Sequence, residues 1–448
     1  MANTYLTRTP SSAGNRQKWT WSAWIKRSVL GTDQSLFSAY GHANNNFKVN
    51  IADTDQLSMR FYNGSEYQLG LNRVMRDTSA WYHVVIVVDT TLASGGDRFK
   101  IYINGVRESS FAAATDPTRN LQMSINDTSQ PMQIGRFNTG AYFNGSMSHV
   151  HFSDGSALAP TVFGSTDSTT GEWKINTSPS FTPGTNGFTI LKDGNGVADV
   201  SANSNNFTIG VGSGGGLSKT EDCPSNVFAT LNPLDNKFPQ HTFTYGNTTS
   251  KSKTGSSAPY TFVTGSLGMT SGKYYWEAKL SALQTSVNKA WTVGITSSST
   301  TSTTTSLGSQ STQYAYNCNT GVIYNAGSTN YGAGCTLNDI LGVAVDMDNN
   351  KIYWSINGTW QNSGNPASGS TGTGAFSITA PTGNIGAYLP AWSYYQDDNW
   401  GEVQFNFGNG YFANNPVSSA GTNASGNGIF EYDVPSGYTA LSTKGLNT

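Results

Sequence analysis

Residues 83–106 read HVVIVVDTTLASGGDRFKIYINGV, and residues 341–358 read LGVAVDMDNNKIYWSING. Each runs from an apolar strand to an aspartate (Asp89, Asp346), crosses a turn-rich stretch, alternates through a second strand and closes on Ile-Asn-Gly. Alternation at period two puts Phe99, Ile101 and Ile103 on one face in the first copy, and Ile352, Trp354 and Ile356 on one face in the second. Asn104-Gly105 and Asn357-Gly358 are tight-turn dipeptides, because Asn and Gly adopt positive φ at little steric cost. One β-hairpin written twice in a chain of 448 residues predicts an all-β fold of two antiparallel β-sandwich (jellyroll-type) domains in tandem.

Outward from the first hairpin, QKWTWSAWIKR, NFKVNIA, QLSMRFYN, MQIGRF and GSMSHVHFSDG also read as strands, separated by Gly, Asn, Asp and Ser. No stretch sustains the 3.6-residue period of a helix. Trp19, Trp21 and Ala23 share one face of the first strong strand, the pattern of a core. The reading divides the chain into a first sandwich over 1–165 and a connector over 166–228 that adds strands to it. A second sandwich over 229–412 and a C-terminal extension over 413–448 follow. Only SSSTTSTTTSLGSQST at 297–312 reads as low complexity, short enough for one loop.

Charged residues make up 12% of the chain, against about 25% in an ordinary soluble domain. With a net charge of −2 there is no cationic field to hold a nucleic-acid backbone, and no polybasic patch for a membrane. No basic start followed by an apolar run marks a leader, and no stretch of about 18 apolar residues spans a bilayer. Three cysteines (Cys223, Cys318, Cys335) argue for a reducing site of synthesis, although Cys318 and Cys335 can still pair. A neutral, glycine-rich surface suits work outside a cell, yet no export signal is read. A protein made in a host cytoplasm and released with virus particles reconciles the two, so the expected location is the virion.

The succession WTWSAWIKR, WYHVVIVVD, RFKIYINGV and IGRFNTGAYFNGSMSHVHFSDGSAL resembles, in order and spacing, the laminin-G-like, concanavalin A-like jellyroll family. Ser148 and His149 stand where that family often carries acidic residues, so no metal or polar contact is carried over there. DVSANSNNF resembles the Asp-x-Ser-Gly-Asn-x-Asn-Asn segment near the ends of such jellyrolls, with Ala202 in place of the glycine. From Ala229 onward, SGKYYWEAKL, WTVGITS, the second hairpin, IGAYLPAW and EVQFNFGNG resemble the SPRY domain family over about 229–412. The two units, joined through ATLNPLD and ending in Pro-x-Gly-Tyr-x-Ala-Leu, together resemble virion proteins of tailed, marine-type phages.

The resemblance implies a structural virion protein, a tail fibre, spike or head-decoration component, presenting lectin-like loops to a host-surface polysaccharide. Other virion proteins are its expected partners, with a homotrimer if it is a fibre. Two alternatives stay open: a polysaccharide-cleaving depolymerase on a jellyroll scaffold, and an assembly protein without ligand. A glycosidase needs two carboxylates roughly 5–9.5 Å apart. No Glu-x-Asp-x-Glu cluster supplies them, and the histidines flank no nucleophile motif, so an enzyme is not expected. His149 and His151, two apart on a strand, lack an evident third metal ligand. No cofactor is otherwise expected; Asp346-x-Asp348-x-Asn350 begins like a calcium loop but lacks the following Gly and distal Glu and reads as a turn, while Asp199, Asn203 and Asn205 set side-chain oxygens at a spacing that, with the jellyroll resemblance, a calcium ion could use. The candidate glycan site is the aromatic stretch YLPAWSYYQDDNWGEVQF at 388–405, read as a loop after Pro390. In it Trp392, Tyr394, Tyr395 and Trp400 would stack on sugar faces while Asp397 and Asp398 accept hydroxyl protons.

Overall fold

The computed structural model describes residues 3–192, 196–211, 216–235, 241–252, 260–283, 291–299, 305–395 and 400–447, with only the backbone of Tyr395. The regular structure is nearly all β, in two compact units, Met1–Lys219 and Thr220–Thr448. Among the described residues, Thr443–Leu446 is the one α-helix, and no helix is long and apolar enough to cross a membrane.

The first unit packs an eight-stranded sheet against a six-stranded one. The alternation that predicted strands also decides which side chains meet: in Gln56–Tyr62, Leu57, Met59 and Phe61 point inward while their neighbours stay half-exposed. They join Trp19, Trp21 and Ala23 of Lys18–Arg27, and Ile86 and Ile101 of the hairpin, in one continuous core. Each fully buried side chain of this size contributes about 1.5–3 kcal/mol. Residues of the expected connector complete this unit. Phe188–Ile190 pairs with Gly145–Asp154, and Thr208–Val211 returns to the opening strand Thr4–Arg8, with Thr4 opposite Val211.

The second unit packs a nine-stranded sheet against a six-stranded one. Trp276, Val343, Val345, Ile352 and Trp354 of the first meet Trp291, Val293, Ile295, Tyr316 and Trp392 of the second in its core. Its ends also close on each other. Phe228 bridges antiparallel to Ser442, and the Ala229 N–H donates to the Leu441 carbonyl at 3.0 Å.

The twice-written hairpin occupies the same place in both units. Tyr82–Asp89 and Phe99–Ile103 pair antiparallel beside Lys18–Arg27, as Ile340–Asp346 and Lys351–Ile356 do beside Lys273–Leu283. Each Asn-Gly then turns the chain into a short third strand. Both turn residues have positive φ, 49° and 78° in the first copy, 48° and 79° in the second, the geometry of a type I′ turn. The likeness extends to a residue pair that the alternation did not reveal: Lys18 stands opposite Asp89, and Lys273 opposite Asp346. The ammonium groups lie 3.2 and 3.1 Å from the carboxylates.

Candidate functional site

The expected binding loop is, for most of its length, not a loop. Leu389–Tyr395 is a strand flanked on both sides, by Tyr260–Thr264 and by Trp291–Thr296. A strand in mid-sheet sends alternate side chains to opposite faces, so Trp392 and Tyr394 turn into the core, 0% and 1% exposed. Trp392 lies edge-on to His241 with centroids 5.0 Å apart, and Tyr394 edge-on to Trp291 at 5.9 Å. Neither ring is open to a sugar, which corrects the reading of these two as ligand contacts. Trp400 is half-buried beneath Lys251, whose Nζ sits 3.5 Å from the ring centroid. Asp397, Asp398 and the Tyr395 side chain lie outside the described residues.

The opposite face of the same strand points to a different place. Where Trp291, Val293 and Ile295 face inward, Thr292, Gly294 and Thr296 face outward, and small residues (Ala315, Ala391, Ser393) continue that shallow floor. Leu307 plugs into this floor against Phe262, Ala315 and Ala391, and its N–H donates to the Ser393 hydroxyl at 2.9 Å. That anchor stands the 305–309 segment up as a rim. Beside it lies a cavity of about 370 Å³, lined by Tyr260, Tyr324, Thr292, Asn317, Ser306 and Ser309 together with Gly308 and Gly327. This size lies within the range of small-molecule sites. Gly308, at φ 96°, approaches Tyr324 so closely that a Cβ there would stand 2.4 Å from the tyrosine Cβ, so the rim requires glycine. Asn317 on the floor donates through Nδ2 to the Tyr324 hydroxyl at 3.0 Å and accepts through Oδ1 from the Asn319 N–H at 2.8 Å.

None of these lining residues is charged. They offer hydroxyls, an amide and two tyrosine rings, a set matched to a neutral, polyhydroxylated ligand and poorly matched to a phosphate or a carboxylate. None was singled out in the sequence. They come from positions as far apart as 260 and 327, and the one strand signal among them is the outward parity of Thr292 and Asn317, which pair across neighbouring strands.

The other candidates resolve as parts of the scaffold. Asp199 accepts from the N–H groups of Thr189, Ser201 and Asn205 and from the Ser201 hydroxyl. Asn203 and Asn205 donate their amides to the carbonyls of residues 184, 185 and 187, while the Arg8 guanidinium donates to Asn205 Oδ1. The three side chains therefore come together, but both Asp199 oxygens and Asn205 Oδ1 are already taken, by the chain's own donors and by the Arg8 cation. His149 sits at a register irregularity with φ 50°, its ring centroid 6.3 Å from that of His151. His151 accepts or donates at Thr189 Oγ1, 3.0 Å away, and burial pulls its pKa down to about 3. Among the described residues no three His, Cys, Asp or Glu side chains gather as a metal site.

No curated protein matches the chain. Among solved structures it is similar to the SPRY domain of human HERC1, at 16% identity over 35% of this chain and 87% of that one, with a TM-score of 0.27. It is similar also to a heptameric SAP-like pentraxin from Limulus polyphemus, at 16% identity over 35% and 71%, TM-score 0.26. A third is domain 4 of an extracellular arabinanase from Geobacillus stearothermophilus, in complex with arabinotriose, at 19% identity over 34% and 68%, TM-score 0.26. The sequence model of the concanavalin A-like lectin/glucanases superfamily matches residues 2–163, and that of the SPRY domain matches residues 273–383. The chain thus carries a concanavalin A-like domain followed in tandem by a SPRY domain.

Proposed function

We propose that this chain is a non-catalytic, carbohydrate-binding component of a phage particle, which holds a host-surface polysaccharide in the cavity of its second unit. The observation that carries the reading is the cavity's lining of neutral hydrogen-bonding groups between two tyrosine rings. Tyrosine faces take the C–H faces of a sugar, and hydroxyl and amide groups exchange hydrogen bonds with its hydroxyls. The match of residues 2–163 to a lectin/glucanases superfamily supports the same ligand class.

The non-catalytic part rests on how the buried carboxylates are spent. Asp154 and Asp199 in the first unit and Glu277 in the second each accept at both oxygens from amide or hydroxyl donors of the chain itself. None is left as an acid poised over a cleft. The particle location rests on the tandem order of the two domains, the ATLNPLD joint and a charge-poor surface.

The test is binding of the purified chain to capsular and lipopolysaccharide preparations, measured beside Tyr324→Ala and Tyr260→Ala. Each substitution is expected to weaken binding about five- to tenfold, the size of a lost ring contact of roughly 1–1.5 kcal/mol. Binding unchanged in both variants would remove the cavity from the reading, and release of reducing ends from the bound polysaccharide would make the protein a depolymerase.

A further inference from the structure

Two of the three cysteines lie side by side at the base of the cavity wall. Strand Gln313–Asn317 ends at Cys318; the chain then forms a meander through Val322–Tyr324 and Ser328–Asn330 and comes back at Cys335. There the Cys335 N–H donates to the Cys318 carbonyl at 2.6 Å, setting the two residues opposite one another. A disulfide needs its Cα atoms roughly 4.4–6.8 Å apart, and a direct main-chain hydrogen bond between two residues keeps theirs near that range. Their thiols are close enough to act on each other's ionisation. Both are buried in the core of the second unit beside Tyr316, whereas Cys223 is half-exposed and contacts Ser225.

We propose that Cys318 and Cys335 are a redox pair, dithiol while the chain folds in a reducing cytoplasm and joined as a disulfide once the protein reaches oxidising surroundings. With a small-molecule disulfide such as oxidised glutathione as the oxidant, one cysteine thiolate attacks it, releasing one glutathione thiol and leaving a mixed disulfide. The other thiolate attacks that sulfur and expels the second glutathione. One S–S bond forms in the protein and one breaks in the oxidant, and the two protein protons end on the two glutathione thiols. Cys335, the less buried of the pair, is the natural first nucleophile. The neighbouring Cys335 and burial hold the Cys318 thiol well above the ordinary thiol range, so closure is slow and waits for local opening. The bridge ties off residues 319–334 at their base, fixing the wall that carries Tyr324 next to Asn317. A closed loop of about 15 residues removes unfolded-state freedom worth a rise of roughly 5–10 °C in the melting temperature of a unit of this size.

The test holds the folded full-length chain in oxidised glutathione, blocks residual thiols with iodoacetamide in denaturant and maps the peptides. The expected product is a peptide pair linked through Cys318 and Cys335, lighter by two hydrogens, while Cys223 is glutathionylated. The link is expected to persist in Cys223→Ser, and the oxidised wild type is expected to gain thermal stability that Cys335→Ala does not. Recovery of Cys318 and Cys335 both alkylated, with Cys223 glutathionylated in the same sample, would overturn the proposal. Cys223 shows that the oxidant acted, so that result cannot be laid to a failed reaction.

Discussion

The two hairpin units share a frame but bury different polar groups under their covers, and the difference shows what a cover demands. In both, a lysine opens the central strand opposite the hairpin aspartate, a tryptophan three residues on (Trp21, Trp276) fills the core, and an Asn-Gly turn closes the hairpin. In both, a later segment folds over the outer face of this sheet and lays an aromatic ring on the turn glycine, Trp173 on Gly105 and Tyr432 on Gly358. At the next outward position the units part: Ser22 in the first, Glu277 in the second. The first cover offers a side-chain donor, the Trp173 indole N–H, 2.9 Å from His83 Nδ1. With Nδ1 accepting, the ring proton sits on Nε2 and is given to Ser22 Oγ at 2.9 Å. The second cover offers main-chain N–H groups of Glu431 and Tyr432, both aimed at the Glu277 carboxylate, which also accepts from Tyr275 and Asn406. A cover that presents bare backbone donors needs an acceptor with two oxygens; one that presents a single indole is satisfied by an imidazole.

Breaking the shared frame should cost both units alike. Trp21→Ala and Trp276→Ala each leave a cavity the size of an indole and are expected to destabilise their own unit by about 3–5 kcal/mol, read as two separate shifts in a calorimetric scan. A large loss in one unit and little in the other would show that the frames are not equivalent. Next in size, Gly105→Ala and Gly358→Ala impose positive φ on a Cβ and drive it to 2.4 and 2.7 Å from the covering ring. Each is expected to cost roughly 2 kcal/mol in chemical denaturation. If either proves neutral, its cover does not press on the turn.

The smallest effect separates the units by pH. Burial pushes the Glu277 pKa up to about 7 despite four donated hydrogen bonds. The unfolded chain loses this proton near 4.5 and the folded chain only near 7, so the second unit sheds stability as pH rises through that window. The slope is at most about 1.4 kcal/mol per pH unit. Burial pulls His83 and His151 in the first unit, and His241 in the second, down to about 3. Each histidine contributes stability that is full above about 6.5 and is lost as pH falls toward 3. Acidification from pH 7 to 5 is therefore expected to weaken the first unit, with two such histidines, more than the second, where Glu277 offsets His241. Glu277→Gln should remove that offset, and an unchanged pH profile in that variant would refute the assignment.

Much of this frame was legible because β-structure writes its core into parity. Trp19, Trp21, Ile101, Ile352 and Trp354 fell where alternation placed them, and both Asn-Gly turns took the geometry their residues favour. The same rule exposes the misreading at 388–405. The alternation of Trp392 and Tyr394 runs unbroken past Pro390, so both rings enter the core, although aromatics beside acidic residues have the composition of a recognition loop. The cavity and the two covers were hidden for another reason. Asn317 and Tyr260, or Glu277 and the N–H of Glu431, meet only after strands from distant parts of the chain are assembled, and no local pattern marks such partners.

The closure of each unit on its own ends has a mechanical meaning. Thr4 faces Val211, and Phe228 faces Ser442, so the entering and leaving chain lie at the same end of an antiparallel pair in both units. A pull on the chain loads those hydrogen bonds one after another, as a zip, and not all together in shear. A force applied across either unit is thus expected to open its terminal strands first, while the sheet interiors stay folded.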